Sequence, residues 1–149
     1  MFGLDYDSIG DFGEIFTQFY HQPKEAIKFL KRVQCGECIG ALYRDDIGDI
    51  DLVWGEVTDP IRHEGYGLTH IIDKHGAEIK ALGFEVEDFI PIIVQFGNAI
   101  PMPKRNRIAF ESKTFRFIVA THWNGIEKRL LLTAFDLTKK PSRISGWQM

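Results

Sequence analysis

Thr114-Phe115-Arg116-Phe117-Ile118-Val119-Ala120-Thr121-His122-Trp123-Asn124-Gly125-Ile126-Glu127-Lys128-Arg129-Leu130-Leu131-Leu132-Thr133-Ala134-Phe135-Asp136 is the stretch that decides the fold. Asn124-Gly125 separates two runs of strand-forming residues. A two-residue type I′ turn needs positive φ at both central positions, which Asn and Gly tolerate, so the stretch predicts a hairpin with strands over 114–123 and 126–136. If Trp123 faces Ile126, one face carries Phe115, Phe117, Val119, Thr121 and Trp123 against Ala134, Leu132, Leu130, Lys128 and Ile126. That face is mostly apolar and suits helices packed over it. The other face carries Arg116, Ile118, Ala120 and His122 against Thr133, Leu131, Arg129 and Glu127. On it Arg116 falls directly across from Thr133, where both could hold one phosphate.

Outward from the hairpin, 107–111 reads as a third strand, joined through Ser112-Lys113. Upstream, Pro23 opens a helix with Ala26, Ile27, Leu30 and Val33 at helical spacing, and Gly36 suits its end. Two short strands are predicted over 38–43 and 49–54, with a hairpin loop over 44–48. Residues 55–67, with Gly55, Pro60, Gly65 and Gly67, read as a loop. A helix is predicted from about 68 to 75, ending at Gly76 or somewhat later, and another over about 85–96. The pattern is α+β, with N-terminal helices packed on a small antiparallel β-sheet. Residues 1–22 read as a lead-in segment, 23–138 as the domain and 139–149 as a basic C-terminal tail.

Composition agrees with one globular domain. The chain has 149 residues, 44% hydrophobic and 26% charged, which excludes a mainly disordered or fibrous chain. No apolar run approaches the roughly 20 residues of a membrane span, and the first residues lack the pattern of a signal peptide. The net charge of −3 conceals an asymmetry: residues 1–99 hold 8 Lys/Arg and 18 Asp/Glu, residues 100–149 hold 10 and 3. The basic third could meet phosphates, or the two regions could simply be solvated and attract each other. Cys35-Gly-Glu-Cys38 is a lone C-x-x-C, a weak zinc or redox signal that chance placement explains better.

The segment Gly65-Tyr66-Gly67-Leu68-Thr69-His70-Ile71-Ile72-Asp73-Lys74-His75-Gly76 carries the candidate chemistry. Residues four apart share a helix face, so His70 and Lys74 lie together, whereas His75 lies about 140° from His70. A helix start near Thr69 would offer free N–H groups to an anion. Histidine, lysine and an Arg/Thr pair suit metal-free RNA cleavage. In that reaction the ribose 2′-hydroxyl attacks phosphorus, a base takes its proton, a cation offsets the phosphorane charge and an acid protonates the leaving oxygen. The competing reading of His70 is a capped or core histidine. His70, Asp73 and His75 also offer metal-ligand types, but the i, i+5 spacing of the histidines does not put them on one helix face.

At these residues the sequence resembles the phage-associated barnase–EndoU–colicin–RelE-like nuclease domains. The resemblance rests on Asp49-Ile50-Asp51-Leu52-Val53-Trp54-Gly55, Gly67-Leu68-Thr69-His70-Ile71-Ile72-Asp73-Lys74-His75 and Leu131-Leu132-Thr133-Ala134-Phe135, in order over about residues 23–137. It implies a small α+β fold with N-terminal helices and a four-stranded antiparallel sheet. It implies metal-independent RNA cleavage, often by toxins acting on tRNA or mRNA. It places the family's motif histidine on His70, its lysine–histidine pair on Lys74 and His75, and its terminal hydroxyl on Thr133. Arg116 joins them from the hairpin register. His70, Lys74, Arg116 and Thr133 are thus the candidate catalytic residues, and His75, Thr69, Arg129, Lys113 and Phe135 the candidate substrate-binding ones. Arg62-His63-Glu64 and the long loop before the motif depart from the family pattern. The expected enzyme is an endoribonuclease needing no cofactor or metal, with RNA such as tRNA as partner, a cognate immunity protein and no membrane. Its site of action would be the cytoplasm, with delivery from a producing cell or coding on a prophage or mobile element. The alternative is a non-catalytic nucleic-acid- or protein-binding domain of a phage or mobile-element protein.

Overall fold

The Asn124-Gly125 turn forms as its chemistry requires, with φ of 51° and 78°. It joins β9 (Phe115–Trp123) to β10 (Ile126–Asp136), the long hairpin around which a computed structural model builds the rest of residues 9–138, the residues it describes. The preceding elements are β1 (Ile9–Gly10), β2 (Gly13–Phe16), α1 (Pro23–Val33), β3 (Glu37–Arg44), β4 (Gly48–Val53), β5 (Glu56–Asp59), β6 (Glu64–Tyr66), α2 (Gly67–Ala81), α3 (Val86–Phe96), β7 (Asn98–Met102) and β8 (Arg107–Glu111). The fold is α+β. Eight strands form one sheet in the order β1-β2-β3-β4-β10-β9-β8-β7, and β5-β6 is a separate hairpin.

The sheet is mixed rather than antiparallel throughout. β7, β8, β9 and β10 form an antiparallel run of four, but β10 meets β4 in parallel and β2 meets β3 in parallel. Three regions read as irregular are strands. β7 was hidden by Pro101, which lacks an amide donor but is tolerated because β7 is the sheet's edge. β5 and β6 lie in the Gly- and Pro-containing stretch 55–67, and β1 and β2 lie in the lead-in segment. The basic tail over 139–149 lies outside the described residues.

The hairpin register also differs from the simple alternation. Trp123 does pair with Ile126 and His122 with Glu127. Irregularities follow between Glu127 and Leu130 and between Leu131 and Thr133. Each bulge adds a residue to one strand and moves every later pairing. Thr133 therefore faces Ile118, and Arg116 faces Phe135. The helix-covered core takes Phe115, Phe117, Val119, Leu131 and Ala134, whereas Leu130 joins Val53 and Ala120 in a second cluster flanked by Phe12, Tyr66, Trp123 and Leu132.

Two junctions place α2. β4 and β10 share a single pair, Leu130 with Asp51, and α2 packs against both strands where they part. Its start is fixed by backbone contact. Gly55 and Gly67 have φ of 78° and 84°, and a Cβ on either would lie 2.8 Å or less from the other segment's backbone. The Thr69 amide then donates to the Trp54 carbonyl at 2.9 Å. Leu68, Ile71 and Ile79 are fully buried in the core.

Candidate active site

α2 runs unbroken through Gly76 to Ala81, so His70, Lys74 and His75 sit on one rigid element. His70 and Lys74 are one turn apart, and they meet residues two apart on β10. His70 Nε2 lies 2.8 Å from Thr133 Oγ1, and Lys74 Nζ stands 5.1 Å from the centre of the Phe135 ring. A histidine and a lysine on one helix face thus align with a hydroxyl and an aromatic ring on β10. Phe135 is 43% exposed, so this face opens to solvent.

His70 itself is buried, with 4% of its surface exposed. Burial, together with the Lys74 ammonium and then His75, pushes its pKa below the usual imidazole value, favouring the neutral ring. Its Nδ1 is buried with no hydrogen-bond partner among the described residues. The imidazole's one hydrogen bond is therefore at Nε2, to the half-buried Thr133 hydroxyl. A neutral imidazole bonded to a hydroxyl can take that hydroxyl's proton as the hydroxyl takes one from elsewhere. Lys74 places a cation over an aromatic face, which holds the chain while the ammonium keeps its donors.

His75 turns the other way. Its Nδ1 lies 2.5 Å from Glu78 Oε1 and its Nε2 3.0 Å from the Ala134 carbonyl, with the ring edge-on to Phe115. It is 3% exposed. Buried and engaged at both ring nitrogens, the residue expected to bind substrate fastens α2 to β10. α2 begins at Gly67, two residues before Thr69, and the Thr69 amide, expected to be free, donates to the Trp54 carbonyl.

The expected Arg116–Thr133 pair does not form. The bulges set Arg116 against Phe135, and its guanidinium binds Glu111 through Nε and Nη2, both at 2.5 Å from Oε2. Arg129 Nε donates to the Asp49 carbonyl at 2.8 Å, so this residue clasps β4 instead of joining Arg116. Lys113 is exposed in the β8–β9 turn. The two charge regions do attract: Lys128 of β10 lies 2.7 Å from both Glu37 and Asp51. Cys38 is fully buried and its thiol pushed up to about 12, while Cys35 is exposed. A buried, protonated thiol is inert, which fits chance placement of the C-x-x-C. Among the described residues no three His, Cys, Asp or Glu side chains gather as metal ligands. His70, Asp73 and His75 each turn to a different partner.

The model of the phage-Barnase-EndoU-ColicinE5/D-RelE-like nuclease 1 family matches residues 41–141. The chain belongs to this family. Searches of curated proteins and of solved structures found no match. In this family member the matched span holds β4, the β5–β6 hairpin, α2, α3 and the four antiparallel strands, so all the candidate residues fall inside it. No helix among the described residues is long and apolar enough to cross a membrane.

One pair of residues escaped the sequence reading. His63, at the tip of the β5–β6 hairpin, places Nδ1 2.9 Å from Asp73 Oδ2 on α2. The signal was present as the departure Arg62-His63-Glu64, but reading 55–67 as a loop gave His63 no fixed neighbour.

Proposed function

We propose that this chain is a metal-independent endoribonuclease that cleaves RNA, with tRNA as the favoured substrate class, by attack of a 2′-hydroxyl on the adjacent phosphorus. The observation that carries the reading is the alignment of His70–Thr133 with Lys74–Phe135 on a family nuclease scaffold. The 2′-hydroxyl gives its proton to Thr133 Oγ1 as Thr133 gives its own to His70 Nε2. The Lys74 ammonium offsets the charge gathering on the phosphorane oxygens. Phe135, half open beside Lys74, offers a face on which a base can stack. The family's phage association supports a toxin effector encoded on a prophage or mobile element, acting in the cytoplasm and restrained by an immunity protein.

The burial of His70 favours one other reading, a domain that binds nucleic acid or protein without cleaving. Incubating purified protein with total tRNA in EDTA separates the two. Cleavage supports the ribonuclease, and retention of RNA without cleavage supports the binder. Cleavage only after a divalent ion is restored overturns metal independence.

A further inference from the structure

We propose that His63, held by Asp73, is a second proton-transfer residue of this site and donates from Nε2 to the leaving 5′ oxygen. The inference rests on the ribonuclease reading above and supplies the acid which that reading leaves unassigned.

The geometry is built, not incidental. Asp59 Oδ1 accepts the Ile61 and Arg62 amides at 3.0 and 3.1 Å, which shapes the tip of the β5–β6 hairpin. His63 follows in the left-handed region at φ 56°, an uncommon conformation for a residue other than glycine, and this turns its ring toward α2. There Nδ1 meets Asp73 at 2.9 Å, with the two side chains 49% and 31% exposed. A carboxylate at Nδ1 keeps that nitrogen protonated in both charge states of the ring. Nε2 becomes the atom that gains and loses a proton, and it has no partner among the described residues.

Asp73 also fixes where this imidazole lies. It is one turn beyond His70 and next to Lys74 on α2, and residues three apart on a helix have Cβ atoms about 5–6 Å apart. The charge of His63 is accordingly felt at His70. Two imidazoles therefore meet neighbouring turns of α2 in contrasting surroundings, His70 from within the helix and His63 through Asp73. His70 is buried against a hydroxyl and suited to accept a proton, whereas His63 is exposed, carboxylate-bound and suited to donate one.

The step balances. The 2′-oxygen–phosphorus bond forms as the phosphorus–5′-oxygen bond breaks. The 2′ proton passes through Thr133 to His70, and the Nε2 proton of His63 passes to the 5′ oxygen. The products are a 2′,3′-cyclic phosphate and a free 5′-hydroxyl, and proton exchange with water resets both rings. Asp73 is a positioning residue, acting through His63.

Two substrates test this: a uridylyl-adenosine dinucleotide, whose leaving alkoxide needs a proton, and uridine 3′-(4-nitrophenyl phosphate), whose leaving phenolate does not. His63→Gln keeps a donor for Asp73 and guards the hairpin contact. Its rate on the dinucleotide should fall about 10²–10⁴-fold, and on the nitrophenyl ester by less than about tenfold, with an unchanged thermal midpoint. His70→Ala should lose rate on both. Nitrogen-15 NMR should show His63 protonated at Nδ1 in its neutral form, and Asp73→Asn should shift the tautomer toward Nε2–H. An equal loss of His63→Gln on both substrates, or no loss at all while His70→Ala is inactive, overturns this proposal alone. If the wild-type protein cleaves only tRNA, an unchanged rate of His63→Gln on tRNA overturns this proposal alone; a wild-type protein inert on both substrates and on total tRNA overturns the ribonuclease reading and this proposal together.

Discussion

His75 of α2 and Ala134 of β10 are joined through a side chain on one and the main chain on the other, Nε2 to carbonyl oxygen at 3.0 Å. The same ring meets Glu78 with its second nitrogen. The helix that carries His70 is thereby locked to the strand that carries Thr133, one residue from the candidate site.

Removing that lock should weaken the protein more than the chemistry. His75→Ala takes the Nε2 contact from the buried Ala134 carbonyl and the Nδ1 contact from Glu78, at a cost of about 1–3 kcal/mol for a buried group that loses its partner. Urea titration should show the lower midpoint. Cleavage per folded molecule should stay within about tenfold of wild type, and a greater loss would return His75 to the substrate.

His70 and Thr133 should behave as a unit. His70→Ala should reduce RNA cleavage by about 10²–10⁴-fold with the fold intact. Thr133→Val removes the hydroxyl at similar volume and should match it, while Thr133→Ser should retain much of the rate. The double variant should be little worse than either single one, since linked groups are non-additive.

Lys74 is expected to act by charge. Lys74→Arg should keep part of the rate and Lys74→Ala should keep little. If Lys74 also contacts a phosphate in the ground state, its removal lowers the log–log salt slope for a single strand by about 0.7. Arg116→Ala should leave that slope unchanged, because its guanidinium is already committed to Glu111. Fluorescence anisotropy on a non-cleavable 2′-deoxy oligonucleotide reads both.

The lowered pKa of His70 predicts an acid-side loss of stability. The unfolded chain takes up this proton near pH 6.5 and the folded protein only at lower pH. Between those values the unfolded state binds more protons, so stability falls as pH falls through that window. His70→Asn should flatten this part of the profile, and thermal midpoints across pH 4–8 would reveal it.

Lys128 should be the costliest lysine to lose among the described residues. It lies between Glu37, which is 2% exposed, and Asp51, which also accepts the Gly40 amide. Lys128→Met strands two carboxylates, and breaking a buried pair in this way costs about 3–5 kcal/mol. Denaturant unfolding should show it, with Lys128→Arg in between.

The sequence displayed these elements unevenly. Asn124-Gly125 announced the long hairpin because only such residues accept its turn geometry, and the apolar spacing of Ala26, Ile27 and Leu30 announced α1. The family motif led to His70 and Thr133, which the fold brings to 2.8 Å. The bulges of β10 were illegible, since 130–132 is Leu-Leu-Leu and any register buries leucines. Two slipped residues, one at each bulge, move Arg116 from Thr133 to Phe135. Strand β7 was masked by its proline, and the His63–Asp73 contact by a loop whose course is set through Gly55 and Gly67 backbone packing. Such contacts depend on tertiary placement and leave no periodicity behind.

The single residue pair between β4 and β10 divides the backbone ladder into two blocks, β1 to β4 and β7 to β10. Cooperative opening units follow such boundaries. Amide exchange should therefore resolve two cohorts of protected hydrogens, with α2 as the staple across their seam. The candidate site residues lie along that seam: His70 and Lys74 on the staple, Thr133 on one block. An RNA strand or a protein inhibitor gripping both sides would merge the two cohorts into one, a signature of occupancy that needs no turnover to be seen.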